Sequence, residues 1–405
     1  MVNTVISVVV VAYNIPRELP RTIKSITTPY QREIVAAEVE IVVVDNGSTP
    51  PVDAGALAEF GSQVRLVRIE DAQPSPAAAI NRGLSEARGD VIGVMIDGAR
   101  LATPSLLHFA MHAVALYPRT IAATLGWYLG ADFQRLGMSA GYTRHTEDEL
   151  LDDIAWVENG YRLFEVSTLD ESSVNGWFAP ISESNALFAT RDTWDQLEGF
   201  DERFDFPGGG LLNLDTFSRA MALEGARLVI LLGEGTFHQL HGGVSTNAPD
   251  AIARWDTWAA QYEKIRGIPY SVPERAGDPL WIGTLPAGAT KHLVTAAVMP
   301  LPHHLAPLGR TFDRLRWGTA EMTASGDPVL DALLRLAGDE IAADRLPVAA
   351  VIARRARHYA PSAVAPQQLL TFLGAHSQFG DVPLDLMPHR DAALAVVAAL
   401  IDATG

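Results

Sequence analysis

Residues 90 to 100 read D-V-I-G-V-M-I-D-G-A-R, from Asp90 to Arg100. Five of the six residues from Val91 to Ile96 are apolar, the sixth is Gly93, and Asp97 ends the run. A short apolar run of this kind is the pattern of a strand buried on both faces. Asp97 then sits at the carboxyl end of the strand, and Gly98 lets the chain turn after it. Thr103 and Pro104 follow as the N-cap and first position of a helix over about 104–116. Ligands of open α/β sheets bind at such strand ends. Taken alone, Asp97 reads equally well as a turn residue.

Composition sets the outer bounds. A chain of 405 residues has room for two domains. A hydrophobic share of 48% with 33 glycines fits a folded globular protein. There are no cysteines, which excludes disulfides, thiolate chemistry and cysteine metal sites and is compatible with a reducing cytosol. A cytoplasmic location is therefore expected, with peripheral contact at the inner face of a membrane left open. The formal charge of −17 argues against nucleic acid as a partner, because phosphate neutralisation needs clustered Lys and Arg. A small phosphorylated ligand in a local site stays compatible. Val5 to Ala12 is too short for a signal core and lacks a basic lead-in. No apolar run reaches the length of a membrane span.

In chain order, the pattern predicts strands over Val5–Ala12, Val39–Val44, Val64–Ile69 and the run ending in Asp97. Helices are expected over Arg17–Ile26 and Pro76–Glu86. This is the rhythm of a mostly parallel sheet flanked by helices, an α/β fold. Further strands are expected at Ile121–Tyr128, Ser184–Thr190 and Leu228–Leu232, and helices at Leu214–Glu224 and Ile252–Arg266. Between Gly130 and Asn175 the chain reads as polar and irregular, and the acidic run from Glu147 to Asp153 as a solvated face. A boundary near 267–290 separates a domain over 1–270 from a helical C-terminal domain over 285–405. Its helices are expected at Val329–Leu336, Ile341–Ala356, Pro366–Leu373 and Asp391–Ile401. Arg354, Arg355, Arg357 and His358 form its basic cluster, read as helix surface.

The carboxyl ends of the strands gather the polar residues. Tyr13 and Asn14 follow the first strand, Asp45 ends the second, Asp71 follows the third and Asp97 ends the fourth. An aromatic ring can stack on a base, and a carboxylate can accept a hydrogen bond from a base N–H. A further carboxylate can hold a divalent cation that neutralises a diphosphate. Together these point to a nucleotide cleft. The sequence has no G-x-x-x-x-G-K-[ST] loop, and no G-x-G-x-x-G after the first strand. His238 and His241, in F-H-Q-L-H-G-G (237–243), are candidate imidazole ligands that could join Asp97 around a metal. The glycines after His241 open the backbone there.

The segments V-V-V-V-A-Y-N (8–14), V-V-V-D-N-G-S (42–48), A-A-A-I-N-R-G (77–83) and A-R-G-D (87–90), with the strand ending in Asp97, resemble family 2 glycosyltransferases of the GT-A fold. The resemblance covers about the first 265 residues. It implies transfer of a sugar from a nucleotide diphosphate sugar to an acceptor hydroxyl, with inversion and with Mn2+ or Mg2+. By that resemblance Ala12 and Tyr13 line the base pocket, and Asp45 hydrogen-bonds the base. Asn81 and Arg88 fix the base-side loop and phosphates. Asp97 matches the first carboxylate of the family's D-x-D, and His241 its later metal-binding histidine.

Two departures stand out. The third position of the D-x-D is Ala99. The acidic pair before the acceptor-side helix is replaced by Leu212-Asn213-Leu214-Asp215, then Arg219. Asn213 stands at the usual base position and cannot deprotonate a hydroxyl, although it can orient an acceptor. Asp215 is the first candidate for the base. If it pairs with Arg219 instead, Glu183, Asp201 or Glu202 comes into consideration. Trp177 and Trp194 are candidate sugar platforms.

The expected partners are a nucleotide-sugar donor and a carbohydrate, glycolipid or small-molecule acceptor. Polysaccharide, glycolipid or metabolite glycosylation would be the setting. A nucleotidyltransferase, or a noncatalytic sugar-nucleotide or carbohydrate-binding protein, is the alternative, the latter kept open by Ala99 and Asn213. The C-terminal region reads as a homodimerisation element, an acceptor-recognition domain or a membrane-docking surface.

Overall fold

The computed structural model describes residues 5–139, 141–242, 251–271, 279–297, 328–342, 346–360 and 362–373. The helix expected at 391–401, and Gly243 of the histidine motif, lie outside the described residues. The chain divides into two compact units, one of residues 1–127, 151–163 and 181–286, the other of 128–150, 164–180 and 287–405.

The first unit is built on a sheet that starts from β1 (Ile6–Ala12), in which all seven residues are buried. β1 pairs in parallel with β2 (Val39–Asp45) on one side and with β4 (Val91–Met95) on the other; β3 (Val64–Arg68) extends β2, also in parallel. Helices cover both faces of β1, β2 and β4, which is why those strands are largely continuous apolar runs, whereas the outer β3 carries Arg65 and Arg68 and is half-buried. Ile6, Val8, Val10, Ile41 and Val43 share a core with Leu19, Ile23 and Ile26 of α1 (Glu18–Ile26) and Leu57 of α2 (Ala54–Ala58). Val9 and Val44 face the other way, onto α3 (Ala77–Glu86) at Gly83.

Beyond β4 the sheet becomes mixed. β5 (Arg100–Ala102) leads into α4 (Leu106–Val114), then β6 (Thr120–Leu129). β8 (Ala186–Thr190) runs antiparallel to both β4 and β6. α7 (Arg191–Leu197) and α8 (Leu212–Ala222) precede β9 (Arg227–His238), and α9 (Ala251–Arg266) precedes β10 (Leu280–Gly283). The strand order is β10-β9-β6-β8-β4-β1-β2-β3, with β5 paired to β9 off this path. The fold is thus an α/β sheet flanked by helices, parallel in its first half.

The second unit holds α5 (Gln134–Ser139), β7 (Ser167–Leu169), α10 (Thr290–Ala297), α11 (Pro328–Ala342), α12 (Leu346–Tyr359) and α13 (Val364–Leu373). Leu333, Leu334 and Ile341 pack with Ala349, Ala353, Leu369 and Leu370 as its core. The region over 287–373 is helical among its described residues, as expected. Three expectations change here. The 130–175 stretch is not irregular: α6 (Arg144–Asp153) takes up the acidic run and buries Glu147 and Leu151, so only part of that run is solvated. Arg354 and Arg355 do not stand out as helix surface, because Arg354 pairs with Asp132 and Arg355 donates to the Thr168 hydroxyl. Trp177 is fully buried beside Phe164 and offers no platform. Among the described residues no helix is long and apolar enough to cross a membrane.

Candidate functional site

The carboxyl edge of β4 brings Asp97 together with two histidines more than 140 positions downstream. The cause is the β5–β9 pairing, which sets Arg100 opposite His238 in register. The Gln239 N–H then donates to the Ala99 carbonyl at 2.8 Å. α1 clamps both turns from the side: Thr22 Oγ1 donates to the Gly98 carbonyl, and Gln239 Nε2 donates to the Glu18 carbonyl. Gly98 is required here, since a Cβ would lie 2.4 Å from the Val11 carbonyl oxygen. The Nε2 atoms of His238 and His241 lie 2.7 and 3.3 Å from Asp97 Oδ2, and 3.1 Å from each other. One donor atom from each of the three residues falls within 4.8 Å of the others.

The electrostatics of the triad follow from its burial. Burial raises the Asp97 carboxyl, but the two imidazoles outweigh it and hold the group well below the usual carboxylate range. Burial carries His238 down to about 4 against the pull of Asp97, so its ring is neutral near pH 7. At His241 burial also lowers the value, yet Asp97 prevails and raises it.

The same edge presents Tyr13, 59% exposed, at the end of β1. Ala12 beneath it is fully buried. Asn14 adopts a left-handed backbone at φ 53°, and its side-chain Oδ1 accepts from the Thr49 N–H. Asp45 is buried, and its carboxylate accepts from the N–H groups of Ser48 and Val52 and from Arg68. Burial raises its pKa and these donors bring it below the ordinary value. Most of its acceptor capacity is therefore spent on tying the loop after β2. Asp71 is exposed in the loop after β3.

Two expected donor-site residues are elsewhere. Arg88 precedes β4, so it stands at the amino edge, opposite Asp97; its backbone N–H donates to Glu40 and its side chain is 74% exposed. Asn81, in the body of α3, closes a two-way bond with the Phe200 backbone and donates to Glu202. It braces the 199–202 turn. A cavity of about 480 Å³ lined by Asp90, His108, His112 and Thr190 also lies at that amino edge, away from the triad.

On the other flank, Asp215 is held between two guanidiniums. Its carboxylate is buried and accepts from Arg219 Nε at 2.9 Å and from Arg266 Nε and its terminal nitrogen at 2.6 Å each. Asp201 is likewise taken by Arg203 and Arg266, with Arg203 the main cause of a pKa near 2. Glu202 binds Asn81. Glu183 is placed differently. β8 runs antiparallel to β4 with Ala186 opposite Met95, so the residues just before β8 lie at the same sheet edge as Asp97. Its Oε2 accepts from Asn213 Nδ2 at 2.8 Å. Trp194 is buried, stacked with Phe200 and bonded to the Ile92 carbonyl, and is no sugar platform. Arg266 went unnoticed in the sequence, where nothing marks a helix-terminal arginine as the partner of an aspartate 51 positions away.

Residues 7–97 match the model of glycosyl transferase family 2. The matched segment runs from β1 to Asp97, at the end of β4. Among solved structures, the chain is similar to S. aureus TarS, with 12% identity, 88% of this chain and 53% of that one covered, and a TM-score of 0.40. It therefore spans about half the length of TarS. It is also similar to the Pyrobaculum calidifontis mannosyltransferase PcManGT, solved with GDP-Man and Mn2+, at 15% identity, coverage of 98% and 86%, and a TM-score of 0.40. The M. tuberculosis glucosyl-3-phosphoglycerate synthase gives 18%, 66% and 82%, and 0.38. No curated protein sequence matches the chain.

Proposed function

We propose that the protein is a nucleotide-sugar-dependent glycosyltransferase in which Asp97, His238 and His241 hold Mn2+ or Mg2+. The observation that carries this reading is the convergence of one carboxylate oxygen and two imidazole nitrogens at the end of β4, inside or beside a family 2 segment. The donor set fits such an ion. Neighbouring ligands around an octahedral cation with bonds of about 2.1 Å lie about 3 Å apart, and the three separations here are 2.7, 3.1 and 3.3 Å. Neutral His238 keeps a lone pair to offer, and a mixed oxygen and nitrogen set suits Mn2+. His238 thus supplies the third ligand that Ala99 does not. A divalent ion there offsets the charge that develops on a departing diphosphate.

Tyr13 offers its exposed ring to the base of the nucleotide, with Ala12, Asn14, Asp45 and Asp71 around it. Glu183 is the general base. It stands at the same sheet edge as Asp97, and the Asn213 amide orients it at the start of α8, where the family places its own acid. A base facing the acceptor hydroxyl, opposite the diphosphate, gives a single displacement with inversion. The products would be glycosylated polysaccharides, lipids or metabolites.

Calorimetric titration with UDP, GDP and dTDP, each with and without Mn2+, tests this. One nucleotide is expected to bind far more tightly with Mn2+ than without it, and Asp97→Asn to weaken the Mn2+-supported binding by about 100-fold, or about 2.8 kcal/mol. Binding indifferent to the metal would favour a noncatalytic sugar-nucleotide-binding protein. Silence from all three nucleotides would sink the donor site.

A further inference from the structure

Helix α9 carries aromatic residues at positions 255, 258 and 262, and its last turn is nailed down. Arg266 bonds to Asp215 in the first turn of α8 and to Asp201. Eight residues earlier, Trp258 lies against Gly210, just before α8 begins: a Cβ on Gly210 would be 3.1 Å from Trp258 Cδ1. Gly208, Gly209 and Gly210 all have positive φ, at 75, 86 and 57°. They let the chain pass under the indole where a side chain could not. Trp255 is a further turn toward the helix start, a rise of about 4.5 Å, and is 37% exposed.

Trp255 does not stand alone. Tyr270 meets it edge-on at 6.3 Å between ring centroids and meets Tyr262 edge-on at 5.2 Å. Burial raises the Tyr270 hydroxyl well above its ordinary value, and the charge of Glu183 adds to that. Trp258, one turn further along α9, lies against Gly210, and three residues on from Gly210 the Asn213 amide donates to Glu183, so α9 packs beside the stretch that carries the carboxylate–amide pair. A single exposed tryptophan means little. One that meets Tyr270 edge-on, on a helix packed against the loop just before Asn213, is a shaped surface.

We propose that Trp255, backed by Tyr270 and Trp258, is the platform for a neutral saccharide acceptor. The apolar C–H face of a pyranose would lie on the indole, and a hydroxyl of that ring or its neighbour would point to Glu183. Aromatic side chains give a large rigid contact area at low entropic cost, with a polar edge for hydroxyls. An anionic acceptor fits poorly, because Arg219 and Arg266 on this flank are already spent on Asp215 and Glu183 itself repels a phosphate. The proposal rests on the reading of Glu183 as the base.

Saturation-transfer NMR on the full chain, with diamagnetic Mg2+ and the nucleotide present, tests it. The probes are maltotriose, cellotriose and mannotriose, with glycerol 3-phosphate as the anionic comparison. The expected result is transfer to the ring protons of at least one trisaccharide. Trp255→Ala should weaken that binding about tenfold, and Trp255→Phe should retain most of it, while the nucleotide Kd of Trp255→Ala reports on the fold. Transfer to glycerol 3-phosphate alone, to no trisaccharide, or equally to wild type and Trp255→Ala would overturn the proposal. Failure of the nucleotide titration with saccharide binding intact would count against the donor site and not against the platform.

Discussion

Asp215 shows how a residue type at the expected position can have the wrong surroundings. Sequence places an acid at the start of the acceptor-side helix, but only the fold shows two guanidiniums closing on it. Removing one member of a buried ion pair leaves the other charge uncompensated and costs about 3–5 kcal/mol. Asp215→Ala should therefore lower stability by that amount in urea unfolding; a variant as stable as wild type would return Asp215 to the catalytic candidates. Glu234 is a second case, invisible in the sequence. It is buried in β9 beside Tyr161, whose hydroxyl donates to Oε1 at 2.7 Å, and burial lifts its pKa from 4.5 to about 7. The fold thus favours the protonated acid. Its contribution is complete below pH 4.5 and is lost as the pH rises through 7, in total about 3 kcal/mol at 1.36 kcal/mol per unit. Other carboxylates shift the opposite way, so the observable is a difference: between pH 5 and 8, wild type should lose stability relative to Glu234→Gln. Parallel curves would show that Glu234 ionises freely. Asp97 was legible because it ends an apolar run. His238 was harder to weigh, because the register of two short strands brings it in.

Among the elements, β1, β2 and β4 were legible because each is a largely apolar run, buried along its whole length and closed by a turn residue. Two misreadings have a common cause. β5 is three residues long and has no periodicity of its own; its pairing with β9 defines it. β9 was expected to stop at Leu232 because Gly-Glu-Gly follows, yet it continues to His238. Gly235 stays in the strand because Trp127 lies over it, where a Cβ would be 2.1 Å from the indole. Glycine in a strand marks such a close approach as often as a break. The helix expected from 104 starts at Leu106, two residues after β5 releases the chain through Thr103 and Pro104. Helix–sheet packing gives the prediction at this scale. A Cβ at Gly83 of α3 would lie 2.2 Å from Val9 Cγ1 and 3.1 Å from Val44 Cγ2. Those valines belong to rigid central strands, so α3 must move. Gly83→Ala should destabilise by about 1–3 kcal/mol despite its better helix propensity, as read from the shift in thermal midpoint. A gain in stability would mean that α3 sits more loosely on the sheet than its contacts indicate.

For the molecule as a whole, the dominant long-range property is a formal charge of −17 over 405 residues. Such a field draws cations and repels free nucleotides, and its reach is set by the Debye length, about 30 Å at 0.01 M salt and about 10 Å at 0.1 M. Around the triad the local charges are mixed, since Arg100 is buried next to His238 in the same strand pair. Asp97 is nonetheless the proposed ligand that carries negative charge, and Glu18 lies close enough to raise His241. Both scales of charge then act in one direction on a divalent ion. Mn2+ affinity in the absence of nucleotide should fall several-fold between 10 and 150 mM NaCl, whereas metal-free nucleotide should bind no more weakly at the higher salt, because screening removes a repulsion. Electron paramagnetic resonance of free Mn2+ measures the first, and calorimetry the second. An Mn2+ affinity flat across that range would confine the attraction to the three ligands and leave the charge of the chain without influence at the site. A nucleotide affinity that drops with salt would require a basic surface near the cleft that outweighs the net charge. On the proposed reading of the site, the −17 favours loading of the cation before the donor, because the ion is attracted from a distance at which the diphosphate is still repelled.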